Sequence, residues 1–339
     1  MSVLSRVKKR NDSLAFAGEV TTADVSGWLD TGSYALNALL SGSIYGGLPG
    51  NKVSVFAGEE ATGKTFFLLG IIAHFLKQKD AEAIIYESES AISTKLLKER
   101  GIDVDRCGVQ PVVTVEESKT EILRTLQEYR ENGDDTPLLI ALDSLGMLST
   151  VKEIEDTSEG KNVRDMTKAQ LMKGMFRVLT LAAGQANVPI IMTNHVYAVI
   201  GNMFPSKEMS GGSGLKYAAS TIVFLSKKKD KDTATNEVVG DIIHCKLEKS
   251  RFTRPFKQVD VHLSYKDGLN RYYYLEVIAA KHGVFKKLDT RYELPDGRKV
   301  FGKNLKEDPE SYYTKEVLDR IDEACKTEFL YGEDDDLPE

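Results

Sequence analysis

The segment VSVFAGEEATGKTFFLLGIIAHF, residues 53–75, runs from an apolar strand-like stretch (Val53 to Ala57) into a helix-like apolar repeat. Between them stand Gly58, Glu59, Glu60, Ala61, Thr62, Gly63, Lys64 and Thr65, which is G-x-x-x-x-G-K-T in the strand–loop–helix setting that the motif requires. The glycines let the backbone curl until successive N–H groups point inward at phosphate oxygens. Lys64 is placed to reach the β and γ phosphates, and the Thr65 hydroxyl to bind Mg²⁺. A helix beginning at Lys64 turns its positive end towards the same anion. A bare glycine-rich loop says little, but this form in this setting reads as a nucleoside triphosphate site.

Composition bounds what such a site can belong to. The 339 residues are 41% hydrophobic and 28% charged, an ordinary globular balance, long enough for one large α/β domain with appendages or two modest domains. No apolar run reaches the roughly 18 residues of a spanning helix, so no membrane association is expected. The basic start MSVLSRVKKR lacks an apolar core and does not read as a secretory signal. Cys107, Cys245 and Cys325 are scattered without ligand spacing, which suits free thiols in a reducing compartment. The net charge of −6 does not exclude DNA. Glu333, Asp334, Asp335, Asp336 and Glu339 concentrate negative charge at one end, while Arg6, Lys8, Lys9 and Arg10 sit at the other.

Outward from the loop, strand-like and helix-like segments alternate. Residues 1–27 form a leader with a short patch from Leu14 to Gly18, either a strand or turn packed on its own domain or an arm that inserts into a neighbouring subunit. Trp28 to Leu40 reads as a helix, followed by the turn Gly46-Gly47-Leu48-Pro49-Gly50. Beyond the loop helix (64–78), strands are expected at 83–86, 110–113, 138–142 and 188–193, and helices at 92–100, 117–131 and 166–187. The last of these helices places Ala169, Met172, Phe176, Leu179 and Ala183 on its core face. Further strands follow at 220–226, 238–247 and 258–264, and a smaller, more polar region from 267 has a helix near 314–325. Two stretches, 149–165 and 198–216, show no period. The alternation predicts an α/β fold of βαβ units around a mostly parallel sheet.

The chemistry gathers at strand ends. Asp143 closes an apolar strand, where an acid beside a phosphate loop holds Mg²⁺ directly or through water. Glu87 and Glu89 end another strand; on an extended segment they share a side with Ser88 facing away, and either is placed to act as general base on an attacking water. Position alone does not choose between them. Asn194 and His195 follow a third strand, where a polar group senses a γ-phosphate or merely closes the strand. The segment from Lys246 to Lys257 carries five basic residues in twelve, either a solvated turn or a cationic finger completing a neighbour's nucleotide site. Among the aperiodic stretches, the second offers Lys207, Ser210, Gly211, Gly212, Ser213, Gly214 and Lys216, able to hold a phosphate backbone through N–H groups and lysines. The first is mixed, setting Lys161 and Arg164 against Glu153, Glu155, Asp156 and Glu159.

The order of these elements resembles the RecA-type homologous recombinases, and within them the T4-type bacteriophage branch. The likeness covers about Thr31 to Lys257. It rests on T-G-S-x-x-L-N with G-G-L-P-G, on GEEATGKT, Y-E-S-E, LLIALDS and TNH, and on GGSGLKYAAS with K-S-R-F-T-R-P-F-K-Q. It implies a RecA-like P-loop ATPase core at 28–266 with a central mostly parallel twisted sheet. Around it come a short N-terminal arm at 1–27 with Phe16 as its anchor, a small C-terminal region at 267–326 and an acidic tail at 327–339. The implied activity uses ATP and Mg²⁺ to build a helical homo-oligomeric filament on single-stranded DNA and exchange strands with homologous double-stranded DNA. The implied partners are single-strand-binding and mediator or loader proteins, in a host cytoplasm if the chain is phage-encoded.

Position by position, the resemblance implies Lys64 and Thr65 for phosphate and Mg²⁺, Asp143 as the second acid of the metal site, and Glu89 instead of Glu87 as the water-activating residue. Lys249 and Arg251 fall on the two cations that reach a neighbour's γ-phosphate. Residues 149–165 and 198–216 fall on the two DNA-binding loops. His195 occupies the position of a γ-phosphate-sensing glutamine, with Asn194 beside it. Leu96 stands where bacterial members stack a tyrosine on adenine, implying an apolar and less selective base contact. The large C-terminal domain of bacterial members is not evident. The rival classes on the same core are a hexameric DNA helicase and a non-catalytic ATP-binding mediator.

Overall fold

The computed structural model describes residues 2–332 except 12–13, 15, 17–22, 134, 162–166, 199–206, 211–212, 232–236 and 265–267. The leader begins with a short helix, α1 (Val3–Lys8), capped by Ser2. β1 (Trp28–Leu29) and β2 (Leu48–Pro49) pair antiparallel on either side of α2 (Tyr34–Ser41) in the chain. The alternating region runs β3 (Val53–Gly58), α3 (Lys64–Phe75), β4 (Glu82–Glu87), α4 (Thr94–Glu99), β5 (Cys107–Pro111), α5 (Val115–Glu131) and β6 (Leu138–Asp143). It continues through α6 (Val151–Ser158), α7 (Lys168–Ala186), β7 (Ile190–Ala198), β8 (Lys207–Met209) and α8 (Ser213–Ala218). Four strands follow, β9 (Thr221–Lys231), β10 (Val238–Ser250), β11 (Gln258–Ser264) and β12 (Gly268–Leu269).

These strands from β3 onward make one sheet in the order β12-β11-β10-β9-β3-β7-β6-β4-β5, with β8 paired to β7. The pairings from β9 through β3, β7, β6 and β4 to β5 are parallel, and those of β10, β11, β12 and β8 antiparallel. The central strands β3 and β6 are buried at every position, as continuous apolar strands must be when helices cover both faces. Alternate residues divide between two cores. Val53, Val55, Ile140 and Leu142 pack with Ile122 and Leu126 of α5 and Phe176 and Leu179 of α7, while Phe56 and Leu139 face α2 and α3.

The T-G-S-x-x-L-N stretch is a structural joint. Asn37 Oδ1 accepts from Thr31 N (3.0 Å) and Thr31 Oγ1 (2.7 Å), and its Nδ2 donates to Asp30 Oδ1 at 2.8 Å. Arg271 grips the same carboxylate with two nitrogens at 3.1 and 2.9 Å. Burial alone raises the Asp30 pKa, but His74, Arg271 and Asn37 together hold it well below the usual carboxylate range.

The chain ends in α9 (Leu275–Lys281), a small antiparallel sheet of β13 (Lys286–Leu288), β14 (Arg291–Glu293) and β15 (Lys299–Phe301), then α10 (Gly302–Glu307) and α11 (Lys315–Phe329). Its Leu275, Phe285, Tyr313, Ile321 and Phe329 belong to the same buried cluster as α2 and α3. Asp322 fastens it further, accepting from Ser43 Oγ at 2.6 Å and Ile44 N at 2.9 Å.

Several expected boundaries move. β5 lies at 107–111, earlier than the apolar Val112-Val113 suggested, because it is an edge strand exposed at most positions and its apolar pattern is weak. The first aperiodic stretch contains α6, capped by Thr150, whose Val151 and Ile154 point to solvent and so leave no core stripe to read. The second contains β8 and α8. On α7, Met175 is buried and Ala169 exposed. Among the described residues, no helix is long and apolar enough to cross a membrane.

Candidate active site

Sheet register brings the ends of β3, β4 and β6 level with the middle of β7, which runs on to Ala198, so Asn194 and His195 lie within that strand and do not follow it. Gly58 of β3 lies opposite His195 of β7, and Glu87 of β4 opposite Asp143 of β6. The loop after β3 passes through Gly63 at φ +86°, a conformation that favours glycine, and no side chain caps the start of α3. The first N–H groups of that twelve-residue helix are thus available to an anion.

Lys64 is buried at 7% exposure, and its Nζ donates to Gly58 O at 3.2 Å and Glu59 O at 3.0 Å. Burial lowers its pKa, opposed by the negative Glu89, Asp143 and Glu60. Thr65 Oγ1 donates to Asp143 Oδ2 at 2.7 Å, and the Thr193 hydroxyl donates to the other Asp143 oxygen. Burial pushes the Asp143 carboxyl up, and the Thr193 and Thr65 hydrogen bonds pull it back. A hydroxyl and a carboxylate at this separation are hard oxygen donors suited to Mg²⁺. Among the described residues no group of three or more His, Cys, Asp or Glu gathers into a metal cage. Thr65 and Asp143 alone supply two such oxygens, which fits an Mg²⁺ that would take its remaining ligands from phosphate and water.

The two glutamates part company. Glu87 is buried and its Oε1 accepts from Glu89 N (2.8 Å) and Ala91 N (2.9 Å), so it holds the turn after β4. Glu89 Oε1 accepts from Ser144 Oγ at 2.5 Å and lies 3.2 Å from His195 Nε2. The expectation of a shared side fails because the chain leaves the strand at this point, with Ser90 at φ +55°. Nor does Ser88 face away: its hydroxyl donates to Ser144 O at 2.7 Å.

His195 spans the site, with Nδ1 3.4 Å from Lys64 Nζ and Nε2 towards Glu89. Gly146 backs the ring so closely that a Cβ there would lie 2.8 Å from His195 Cδ2. Asn194, fully buried, accepts from His195 N (2.8 Å) and donates to Ser210 O (2.9 Å).

Lys249 and Arg251 do not join this cluster within the protomer. Lys249 Nζ donates to the carbonyls of Lys216, Tyr217 (3.2 Å) and Ala219 (2.8 Å), and Arg251 to that of Tyr217 at 3.3 Å. Both cations thus sit at the C-terminal end of α8, where carbonyls attract positive charge. Burial lowers the Lys249 pKa, and the neighbouring Arg251 lowers it further. Leu96 is half-buried against the core.

Of the proposed DNA contacts, Lys161 is exposed and paired with Glu159, and Lys216 is exposed with its Nζ 3.8 Å from Glu248. Gly214 is buried where a Cβ would meet Lys173 of α7 at 2.9 Å, so packing alone requires a small residue. Lys207 lies in β8 and Ser213 opens α8, described at the backbone only. Arg164, Gly211, Gly212 and the tail from Glu333 lie outside the described residues. Phe16 is partly exposed, with Lys8 Nζ 4.8 Å from its ring centroid. Sequence reasoning assigned nothing to Thr193, Ser144 or Gly146. The first two flank residues it did name, which was the one signal available.

The RecA N-terminal domain family matches residues 3–270. The chain is similar to a recombination and repair protein of Enterobacteria phage T4, 31% identical over 238 residues, which is 70% of this chain and 59% of that protein's length. It is also similar to protein RecA of Paracoccus denitrificans, 28% identical over 315 residues, 90% of this chain and 83% of the relative. Protein RecA of Francisella philomiragia subsp. philomiragia is 30% identical over 323 residues, 94% of this chain and 85% of its own. Matches of that extent run past Lys257, so the likeness reaches into the C-terminal region where the motifs gave no sign of it. The family match holds across the whole alternating region and not the phosphate loop alone, and the chain belongs to the RecA N-terminal domain family.

Proposed function

We propose that this chain is a DNA-dependent ATPase and strand-exchange recombinase that forms helical filaments on single-stranded DNA. The observation that carries the reading is the position of His195. Its ring contacts both Lys64 and Glu89, while the adjacent Asn194 holds Ser210 in the second candidate DNA loop. A nucleotide site and a DNA-contacting segment are thereby joined through two consecutive residues.

In this reading the N–H groups of Gly63 to Thr65 and the ammonium of Lys64 hold the ATP phosphates. Thr65 and Asp143 hold Mg²⁺, which when bound neutralises charge on the phosphate oxygens. Glu89 accepts a proton from the attacking water, and Ser144 keeps its carboxylate aimed. His195 senses the γ-phosphate, and Leu96 lies near the base. Lys249 and Arg251 leave the end of α8 to meet the nucleotide of an adjacent subunit, so ATP strengthens the filament and the filament strengthens DNA binding by linkage. The basic and glycine-rich positions from Lys207 to Lys216, with Lys161 and Arg164, hold DNA backbones, and base pairing supplies the test of homology. Phe16 anchors the arm on a neighbouring copy.

The deciding experiment is ATP hydrolysis with and without single-stranded DNA across protein concentration. Strong stimulation, steep in protein concentration, is expected for sites completed between neighbours. A rate indifferent to DNA and to protein concentration would reduce the chain to an ATPase of this core with another task. Closed rings by electron microscopy would favour the helicase.

A further inference from the structure

We propose that Ser88 is a positioning residue for ATP hydrolysis, acting on the attacking water through Ser144 and Glu89. The inference rests on the role given to Glu89 above and adds to it the group that fixes the residue aiming that carboxylate.

β4 and β6 are parallel neighbours whose last registered pair is Glu87 with Asp143. One more main-chain bond follows, from Ser88 N to Asp143 O at 2.8 Å, and both strands end there. Beyond that point the Ser88 side chain continues what the ladder began. Its Oγ accepts from Ser144 N at 3.0 Å and donates to Ser144 O at 2.7 Å, so one hydroxyl holds both main-chain polar groups of Ser144. A hydroxyl can do this because it carries one donor and two acceptor lone pairs. Ser144 is fully buried, away from water that could replace either bond.

With its main chain gripped in this way, Ser144 aims its own Oγ at Glu89 Oε1, 2.5 Å away. His195 Nε2 meets the same oxygen at 3.2 Å. Among the described residues both of these side-chain contacts fall on Oε1, which leaves Oε2 for a water. Glu87 secures the other end of the residue by accepting from Glu89 N at 2.8 Å. Glu89 is therefore held at its main chain by Glu87 and at its carboxylate by a relay that starts at Ser88. Such holding has a kinetic value, since a displacement of about 1 Å can cost about a hundredfold in rate. An alanine at position 88 frees both main-chain groups of Ser144 and with them the direction of its hydroxyl.

The test is ATP hydrolysis by the full chain, saturated with Mg²⁺ and single-stranded DNA, with binding of a non-hydrolysable ATP analogue measured alongside. Ser88→Ala is expected to lower kcat about tenfold and to leave the KM for ATP and the analogue affinity within about twofold, as for an interaction that matters only in the transition state. Ser88→Thr, which keeps the hydroxyl, should recover most of the lost rate. The deciding comparison places Ser88→Ala in a Glu89→Gln background. If Ser88 acts through Glu89, the added change lowers the residual rate by less than about twofold, because residues that act as one unit are not additive. A further loss of about tenfold in that background would overturn the proposal. So would an unchanged kcat in Ser88→Ala, an equal loss of analogue binding, or a Ser88→Thr as slow as Ser88→Ala. Should Ser88→Ala not fold, Ser88→Cys takes its place in the same comparison, since a thiol is a weaker donor and acceptor than a hydroxyl. The two readings fail separately. A Glu89→Gln variant with the wild-type kcat removes the role of Glu89 itself, whereas a slow Glu89→Gln beside a fully active Ser88→Ala removes only that of Ser88.

Discussion

Asn194 Nδ2 donates to the carbonyl oxygen of Ser210 at 2.9 Å, and the Ser210 N–H donates back to His195 O at 3.0 Å. The middle of β7 and the turn after β8 are thus locked to each other, with Val196 paired to Met209 one step along. In the proposed reading, a displacement of His195 by a phosphate would pass through these bonds to the segment carrying the candidate DNA residues. Coupling of this kind is reciprocal, so DNA that fixed the segment would also fix His195.

Removing the lock tests it. Asn194→Ala leaves the Ser210 carbonyl short of a buried partner and is expected to cost about 1–3 kcal/mol of stability. The sharper outcome is functional: single-stranded DNA affinity, read by fluorescence anisotropy, should lose most of its dependence on a non-hydrolysable ATP analogue. Full retention of that dependence would show that the two segments communicate by another route.

Glu89→Gln keeps an acceptor for Ser144 Oγ but cannot take a proton. Hydrolysis should fall by about 100-fold or more, the range for losing a general base, while ATP and DNA binding persist. Failure of the variant to bind ATP would move Glu89 out of the catalytic role and into the binding site.

What could be read from the sequence follows from how far each feature is spread along it. The phosphate loop occupies eight adjacent residues, and β3 and β6 are buried on both faces, so motif and apolar run announce them directly. The choice between Glu87 and Glu89 was beyond a rule of strand alternation, because the strand stops at Glu87 and the chain turns at Ser90. α6, β8 and α8 were missed for want of a buried stripe, and α6 exposes the apolar residues it has. The C-terminal region looked polar because Phe285, Tyr313 and Ile321, which enter the main core, are scattered over short elements with no sustained period.

Gly146 supplies a test of His195 that leaves the histidine in place. A methyl group there would meet His195 Cδ2 at 2.8 Å and Asn194 Oδ1 at 3.3 Å, forcing the ring away from Lys64 and Glu89. Gly146→Ala is expected to cost about 1–3 kcal/mol, the usual penalty of overpacking, and to lower DNA-stimulated hydrolysis by roughly tenfold. A wild-type rate with an intact fold would mean that the position of the ring is immaterial to turnover.

Glu328 sets an acid limit on the docking of α11. Burial pushes its carboxyl up, but hydrogen bonds from Lys257 (2.7 Å) and Lys281 (2.6 Å) prevail and hold its pKa at about 2, against an ordinary value of 4.5. A depressed folded pKa means stability that is fully present above pH 4.5 and lost as the pH falls towards 2. Because Lys281 is largely exposed, solvent screening keeps the contribution to about 2 kcal/mol. Thermal melts of the wild type and Glu328→Gln should therefore differ at pH 7 and converge only as the pH falls to about 2. A constant gap across that window would assign the difference to packing instead of charge.

The sharpest test of shared sites uses two defective proteins. If Lys249 serves the nucleotide of a neighbour, Lys249→Ala and Glu89→Gln damage opposite sides of one seam. Each alone should be nearly inactive in DNA-stimulated hydrolysis. In an equal mixture, about a quarter of the seams would pair an intact Glu89 with an intact Lys249, as expected for random order in a head-to-tail assembly. Activity should then return to about a quarter of the wild-type level. If Lys249 acts only within its own protomer, at the carbonyls closing α8, no seam is repaired and the mixture stays as inactive as its parts.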